Sequence, residues 1–517
     1  MRLLERLTEN RRNVVIVAGL IILLAASIRF YHIGWSFSNN GVDEGVMLQR
    51  SLLIDYGFEL YTELPCDQAP FAFYIGAIFS GDVVTLRSLE VALSIFAILA
   101  CMAAARRISG DIAMLATGLF LAVDFAFLRE SRLYSLDGMA SYFLAFSFLA
   151  LVYYIQKDSR VALVVGGLLM GVSASVKLLG AFGVVGVLLF FIIEVVRERS
   201  LGSKRAVDMA LFFSTSILPL VLFLAVLDTS AMLQGMIFDQ AHREFEPFLK
   251  LAILAYLGLN LSYILPFIYA RSLWSAGREI RLLMVVSAVL LLLMLFQPLV
   301  FFHHLVLMSP SLAILAGVVT AETVRTKKSI KRRTNLGKML KKNTAMRRFA
   351  AAVILMDVVA SAGLAFYGIA AQGEPSEIAY AEMLRDIADG IENLTGNDTW
   401  VICGDPLIAT QAGVLTPPQV ANVAYRRYPQ LTLDDVTNAI DEYNVSVVVV
   451  CFRLKDIGGL TAYLRENNYS MILPRYIGSG NDTVLDLFED SIDPVYFYIK
   501  NDLAFALDIP ILMRIKP

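Results

Sequence analysis

Asp43 and Glu44 stand side by side after the turn sequence Asn39-Asn40-Gly41-Val42, with Gly45 next. That placement suits the first turn of a helix, where the helix dipole favours negative charge and keeps a carboxylate ionised. Capping alone would account for the pair. A carboxylate kept ionised at a cleft could also take a proton from an acceptor hydroxyl, which makes Asp43 a candidate general base and Glu44 its neighbour in that task. A second set of charges lies in Arg129-Glu-Ser-Arg132-Leu-Tyr-Ser-Leu-Asp137, and a further cation is Lys177 in Ser-Val-Lys-Leu-Leu-Gly. An interfacial salt bridge with snorkelling arginines would explain Arg129, Arg132 and Asp137 without any ligand. Lys177 is harder to dismiss. It sits between two apolar runs with no obvious counter-ion, and a phosphate would supply one.

All four histidines, His32, His242, His303 and His304, fall at the same ends of the apolar runs as these charges. With nearby acids, Asp67 among them, they could hold a divalent metal, and His242, His303 and Asp67 are the candidates for it. No ligand spacing here is diagnostic, and no cofactor is certain. Cys66, Cys101, Cys403 and Cys451 form no C-x-x-C pair, so neither a zinc knuckle nor a thioredoxin-type motif is present. Cys403 and Cys451 read most simply as buried apolar residues; a disulfide between them would demand a geometry that strand neighbours rarely meet.

The elements that must carry these residues are membrane spans. The chain has 517 residues, 57% hydrophobic and only 17% charged, far from the balance of an ordinary soluble domain. At roughly 20 apolar residues per crossing, about eleven spans fit, near 13–30, 83–105, 112–128, 138–155, 161–176, 179–195, 207–227, 251–270, 282–298, 303–321 and 349–371. The first could be a signal peptide, since Ala25-Ala26-Ser27 is small enough to cleave, but the run from Arg29 into the acidic loop favours a retained anchor. Cations crowd alternate loops: Arg2, Arg6, Arg11 and Arg12, then Arg106-Arg107, Lys157 and Arg160, Arg197 to Arg205, Arg271 to Arg281, and densest of all 322–348. The positive-inside rule makes those loops and the N-terminus cytoplasmic. The 322–348 stretch reads as a topology signal resting on anionic lipid heads, not as a nucleic-acid site. An odd number of spans then puts residues 372–517 outside, where five Asn-x-Ser/Thr sequons gather at Asn393, Asn397, Asn444, Asn468 and Asn481.

The tail changes character. Trp400 to Cys403 reads as a strand, the stretch after Asp405 as a helix, Thr432 to Glu442 as a helix, Val445 to Phe452 as a strand buried on both faces, and Leu454 to Asn467 as a helix. The expected architecture is therefore an α-helical polytopic membrane domain, 1–371, followed by an extracytoplasmic α/β domain, 372–517. No glycine fingerprint for a nucleotide is present.

Taken in order, these residues resemble the GT-C membrane glycosyltransferases, in the branch of protein O-mannosyltransferases and lipid A aminoarabinose transferases. The resemblance runs through Arg29-Phe-Tyr-His-Ile-Gly with Asp43-Glu44, Arg132 to Asp137, Lys177-Leu-Leu-Gly, and His303-His304-Leu-Val-Leu-Met-Ser-Pro310-Ser-Leu-Ala, and the tail from Trp400 to Asn468 looks like the external domain of many members. It implies transfer of a sugar, with inversion, from a polyprenyl-phosphate carrier to a protein, glycan or lipid acceptor at the extracytoplasmic face. It implies Asp43 as the base with Glu44 beside it, Arg132 and Lys177 on the phosphate, and Asp137 holding an arginine or the sugar; Arg129, Asp67 and His303 join the substrate-binding set. One departure stands out. Aminoarabinose-type relatives carry Glu-Lys-Pro-Pro where this chain has Asp67-Gln68-Ala69-Pro70, which removes one phosphate contact. The competing reading is a transporter or flippase of lipid-linked sugars, which would place charges near span centres and repeat its hydropathy pattern. The expected topology has a direct check: membrane-impermeant thiol labelling should reach a cysteine placed at Asn397 and miss one at Lys338, and the reverse pattern would overturn the orientation.

Overall fold

The computed structural model describes residues 10–35, 43–198, 204–324, 335–371, 375–394, 399–423, 430–472 and 496–501. The turn at 39–42, the sequons at Asn397 and Asn481, and the cations of 325–334 lie outside the described residues. The chain forms two compact units: Met1–Ile33 with Arg87–Val226 and Glu244–Ile369, and Gly34–Leu86 with Leu227–Arg243 and Ala370–Pro517.

The first unit is a bundle of apolar helices, and the protein is a multi-pass membrane protein. Among the described residues eight helices are long and apolar enough to cross a bilayer: Arg11–Phe30, Val83–Val123, Leu136–Lys157, Leu178–Arg197, Lys204–Val226, Arg278–Phe296, Phe302–Val324 and Thr344–Gly368. The expected count of eleven is not reached on those criteria, for three physical reasons. The expected spans 83–105 and 112–128 are two helices counted together in Val83–Val123, parted by non-helical backbone at Ser109 and at Gly110, whose φ of 78° an L side chain would resist. The expected span 251–270 is a pair of helical pieces, Pro247–Leu259 and Leu261–Ile268, bent by 103° at Asn260. Arg160–Val176 has 17 residues, about 25 Å of helix against a hydrocarbon core of roughly 30 Å.

Small residues let this short helix pack tightly. A Cβ on Gly167 would come within 2.1 Å of Thr215 Oγ1, and one on Gly171 within 2.2 Å of Ser216 O, both on helix Lys204–Val226. Glycines four apart bring two backbones together where lipid gives no hydrophobic drive for association. Away from such contacts the helices expose Leu20, Leu222, Leu355 and Phe366, as lipid-facing surfaces do.

In the second unit the tail folds around a four-stranded sheet of β1 (Val401–Cys403), β2 (Val447–Val450), β3 (Tyr469–Ile472) and β4 (Tyr496–Lys500), in the order β1-β2-β4-β3. β1 and β2 are parallel, and β4 runs antiparallel to β2 and β3. Both faces are covered. Val447 and Val449 pack with Leu384 and Ile391 from helix Pro375–Leu394 and with Ile408, while Val448 and Val450 pack with Val436 and Ile440 from helix Leu433–Glu442. That accounts for the unbroken β-branched run in the sequence. Thr432 caps Leu433–Glu442 through a reciprocal box with Asp435. Cys403 and Cys451 are buried as free thiols.

Candidate active site

In the first unit, Lys177 ends helix Arg160–Val176 in extended backbone, its N–H bonded to Ser173 O. Asp137 sits in the first turn of helix Leu136–Lys157, whose cap Ser135 accepts from the Gly138 N–H. The two turns bring Lys177 Nζ to 2.5 Å from Asp137 Oδ2. Both residues are buried, 8% and 5% exposed. The counter-ion of Lys177 is thus a residue of the chain, where the sequence alone pointed to a phosphate. A buried cation without a partner would cost several kcal/mol, and a carboxylate on the neighbouring helix removes that cost. Asp137 Oδ1 finds no hydrogen-bond partner among the described residues. His303 Nε2 lies 3.8 Å from Asp137 Oδ2. His303 and His304 ride on the 3-10 turn Phe302–Met308, which Ser141 Oγ grips by donating to Val306 O at 2.9 Å.

Asp137, His303 and His304 bring their ligating atoms within 4.8 Å of one another, a donor set of the zinc type. The Lys177 ammonium on the same carboxylate opposes a cation there, so the residues as placed fit a metal poorly. The other two expected metal candidates, Asp67 and His242, have partners elsewhere. Asp67 is taken by Arg243 at 2.5 Å and Arg50 at 3.6 Å, with Gln240 Nε2 donating to its backbone O at 2.7 Å. The exposed His242 turns Nδ1 to Phe238 O at 2.7 Å. Two arginines from positions 50 and 243 thus share the one Asp67 carboxylate.

Arg132 donates to Tyr31 O, and Arg87 donates to Ile33 O at 2.8 Å, so two cations hold the chain as it leaves the first span. Burial and the neighbouring Arg87 lower the Arg132 guanidinium to about 10, still fully charged at neutral pH. Arg129 is engaged by Glu130, which also accepts from Ser135 Oγ.

In the second unit Asp43 and Glu44 open helix Asp43–Asp55, Asp43 exposed and Glu44 2% exposed. Near Glu44 is Asp405, the cap of helix Pro406–Gln411, which accepts from the Leu407 N–H at 3.0 Å. Burial pushes the Asp405 carboxyl up to about 6; the Leu407 N–H pulls against that, and the Glu44 carboxylate adds to it. The acidic end of this helix is therefore a place where charge is already crowded.

With this geometry in hand the chain can be compared with known proteins. Residues 68–233 match the family of dolichyl-phosphate-mannose-protein mannosyltransferases. The crystal structure of ArnT from Cupriavidus metallidurans in the apo state superposes with a TM-score of 0.62 at 15% identity, covering 95% of this chain and 98% of that one. The chain has the GT-C fold. The same ArnT bound to undecaprenyl phosphate gives 0.58 at 16% identity over 94% of this chain and 97% of that one. The oligosaccharyltransferase AglB from Archaeoglobus fulgidus, in complex with an inhibitory peptide and a dolichol-phosphate, gives 0.55 at 14% identity over 89% of this chain and 72% of that one. A search of curated protein sequences returns no match.

The GT-C bundle also holds buried charges that the sequence reading passed over: Arg87, Glu90, Asp124, Glu194 and Asp208. The signal was there, since each interrupts or edges an apolar run. Most lie within about two turns of a helix end and are matched, as Glu194 is by Arg278 at 2.8 Å and Arg281 at 3.0 Å. Asp357 is different. It lies mid-helix in Thr344–Ala371, where it accepts from the Leu261 and Ser262 N–H groups and so satisfies the break in the bent pair.

The Lys177–Asp137 pair makes a firm prediction for the GT-C bundle. Breaking a buried pair from one side costs about 3–5 kcal/mol, while removing both charges costs far less. Thermal unfolding in detergent should show Lys177→Met and Asp137→Asn each strongly destabilised and the double variant close to wild type. Additive losses would mean that the two side chains do not meet.

Proposed function

We propose that this chain transfers a sugar from a polyprenyl-phosphate carrier to an acceptor at the extracytoplasmic face of the membrane, with inversion. The observation that carries the proposal is the buried lysine–carboxylate pair with histidines beside it, at helix ends of a GT-C bundle. The reaction asks for cations where the leaving phosphate gains charge and for one base at the acceptor, and for little else. The acceptor oxygen attacks the anomeric carbon, the carbon–oxygen bond to phosphate breaks, and the lipid phosphate leaves with the electron pair. A single displacement inverts the centre. The acceptor's proton passes to a carboxylate.

Asp43 is assigned that proton, being the exposed acid at the N-terminus of its helix. Glu44, buried one residue on, is assigned its orientation. Lys177 and Arg132 are assigned the phosphate charge, and a lipid phosphate would compete with Asp137 for the ammonium. Because Asp137 holds the Lys177 side chain in place before the donor arrives, the site needs little reorganisation. The half-buried Arg129 and the acid Asp67 are engaged by Glu130 and by two arginines, so they support the site more than they contact the donor. Mannose on a dolichyl-type carrier and a protein hydroxyl are the donor and acceptor favoured by the family match over 68–233. The ArnT and AglB neighbours, bound to undecaprenyl phosphate and dolichol-phosphate, support a lipid phosphate at the donor site.

Asp43→Asn keeps the size and most hydrogen bonding of the base but cannot accept the proton. It should lower transfer from dolichyl-phosphate mannose by about 100-fold or more while binding of dolichyl phosphate survives, and Glu44→Gln should be milder. An active Asp43→Asn with a dead Glu44→Gln would move the base one residue along. Normal turnover in both variants would leave the pair as a helix cap.

A further inference from the structure

Helix Asp43–Asp55 is gripped beyond its acidic start. Gly45 lies so close to helix Pro406–Gln411 that an added Cβ would come within 2.3 Å of Leu407 N and 2.9 Å of Leu407 Cα. Those are backbone atoms with nowhere to go. One turn further, on the same face, Gln49 is fully buried. Its amide is matched atom by atom: Nε2 donates to Thr410 Oγ1 at 3.1 Å and to Val414 O at 3.0 Å, and Oε1 accepts from the Thr416 N–H at 3.2 Å. Two N–H groups and one carbonyl meet three different residues of one short stretch, a pattern that only a carboxamide side chain reproduces. That stretch is itself anchored. Thr410 Oγ1 donates to Pro406 O at 3.0 Å, and the Val401 N–H of β1 bonds to Leu415 O at 2.9 Å. Neither the family match, which begins at residue 68, nor the acidic motif accounts for Gln49.

We propose that Gln49 is a positioning residue through which the C-terminal α/β domain fixes the helix bearing Asp43 and Glu44, so that the domain is a working part of the transfer site and not an appended module. The proposal rests on the assignment of Asp43 as the base. A base must be held to within about half an ångström of its productive place, and a shift of about 1 Å costs on the order of 100-fold in rate. An amide with three partners in the sheet domain sets both the depth and the rotation of the helix. The close approach at Gly45 keeps the two backbones in register.

The test uses the full-length protein in lipid nanodiscs, with Gln49→Leu and Thr410→Val. The first keeps the volume and removes all three hydrogen bonds; the second removes one acceptor and carries the test if the first does not fold. Amide hydrogen exchange of residues 43–55 is read beside steady-state kinetics with dolichyl-phosphate mannose and a Ser/Thr-rich peptide. Expected are faster exchange across 43–55, a fall in kcat of about 10- to 100-fold, a donor KM within about twofold of wild type, and the same direction with a smaller size in Thr410→Val. Unchanged exchange in both variants overturns the proposal. So does faster exchange with wild-type kcat, or a change confined to KM. A wild-type chain that turns over no donor would sink the transferase reading on its own account, and the exchange result would still decide whether Gln49 holds the helix.

Discussion

An ion pair buried among apolar helices constrains everything around it. The Lys177 ammonium could not sit where it does without the Asp137 carboxylate, and neither could be left alone there at a cost the fold would tolerate. Their meeting needs helix Arg160–Val176 to stop at its seventeenth residue and helix Leu136–Lys157 to begin at the same level. The two helices are joined by a short turn at Asp158-Ser159, and their packing through Gly166 against Leu151 sets that level. The histidine-bearing turn of Phe302–Met308 is then pulled onto the same end by Ser141. The bundle thus meets the cost of its own buried charge by bringing a lysine, a carboxylate and two histidines to one end.

Much of this was legible in the sequence, for a physical reason: apolar runs and alternate cation-rich loops are one-dimensional signals. The strands β1 and β2 and helix Leu433–Glu442 were legible too, through an unbroken β-branched run and a Thr-x-x-Asp cap. What stayed hidden depends on contacts between distant positions. Lys177 and Asp137 are 40 residues apart, so the lysine reads as unpaired. Asp67 reads as a free acid because its arginines come from positions 50 and 243. β4 and helix Pro375–Leu394 escaped because their patterns are weak without the sheet they pack on.

The count of spans shows the limit from another side. A threshold of about 20 apolar residues assumes straight, uninterrupted helices. This bundle contains a helix of 17 residues, a span bent at Asn260 and a long helix broken at Gly110. The bend at Asn260 is supported by polar chemistry that hydropathy does not register. Asp357 supplies acceptors to the backbone freed at the bend, and Asn260 donates to Tyr256 O at 3.1 Å.

Cleavage of the donor's sugar–phosphate bond is the central claim. The direct measurement is to place the purified protein in vesicles with dolichyl-phosphate mannose labelled in the sugar and to follow both products. Transfer predicts that free dolichyl phosphate appears in step with labelled mannose on an added peptide, with no label left on lipid that has changed leaflet. Movement of the intact mannolipid across the bilayer, with no dolichyl phosphate released, would contradict the account and make the chain a transporter.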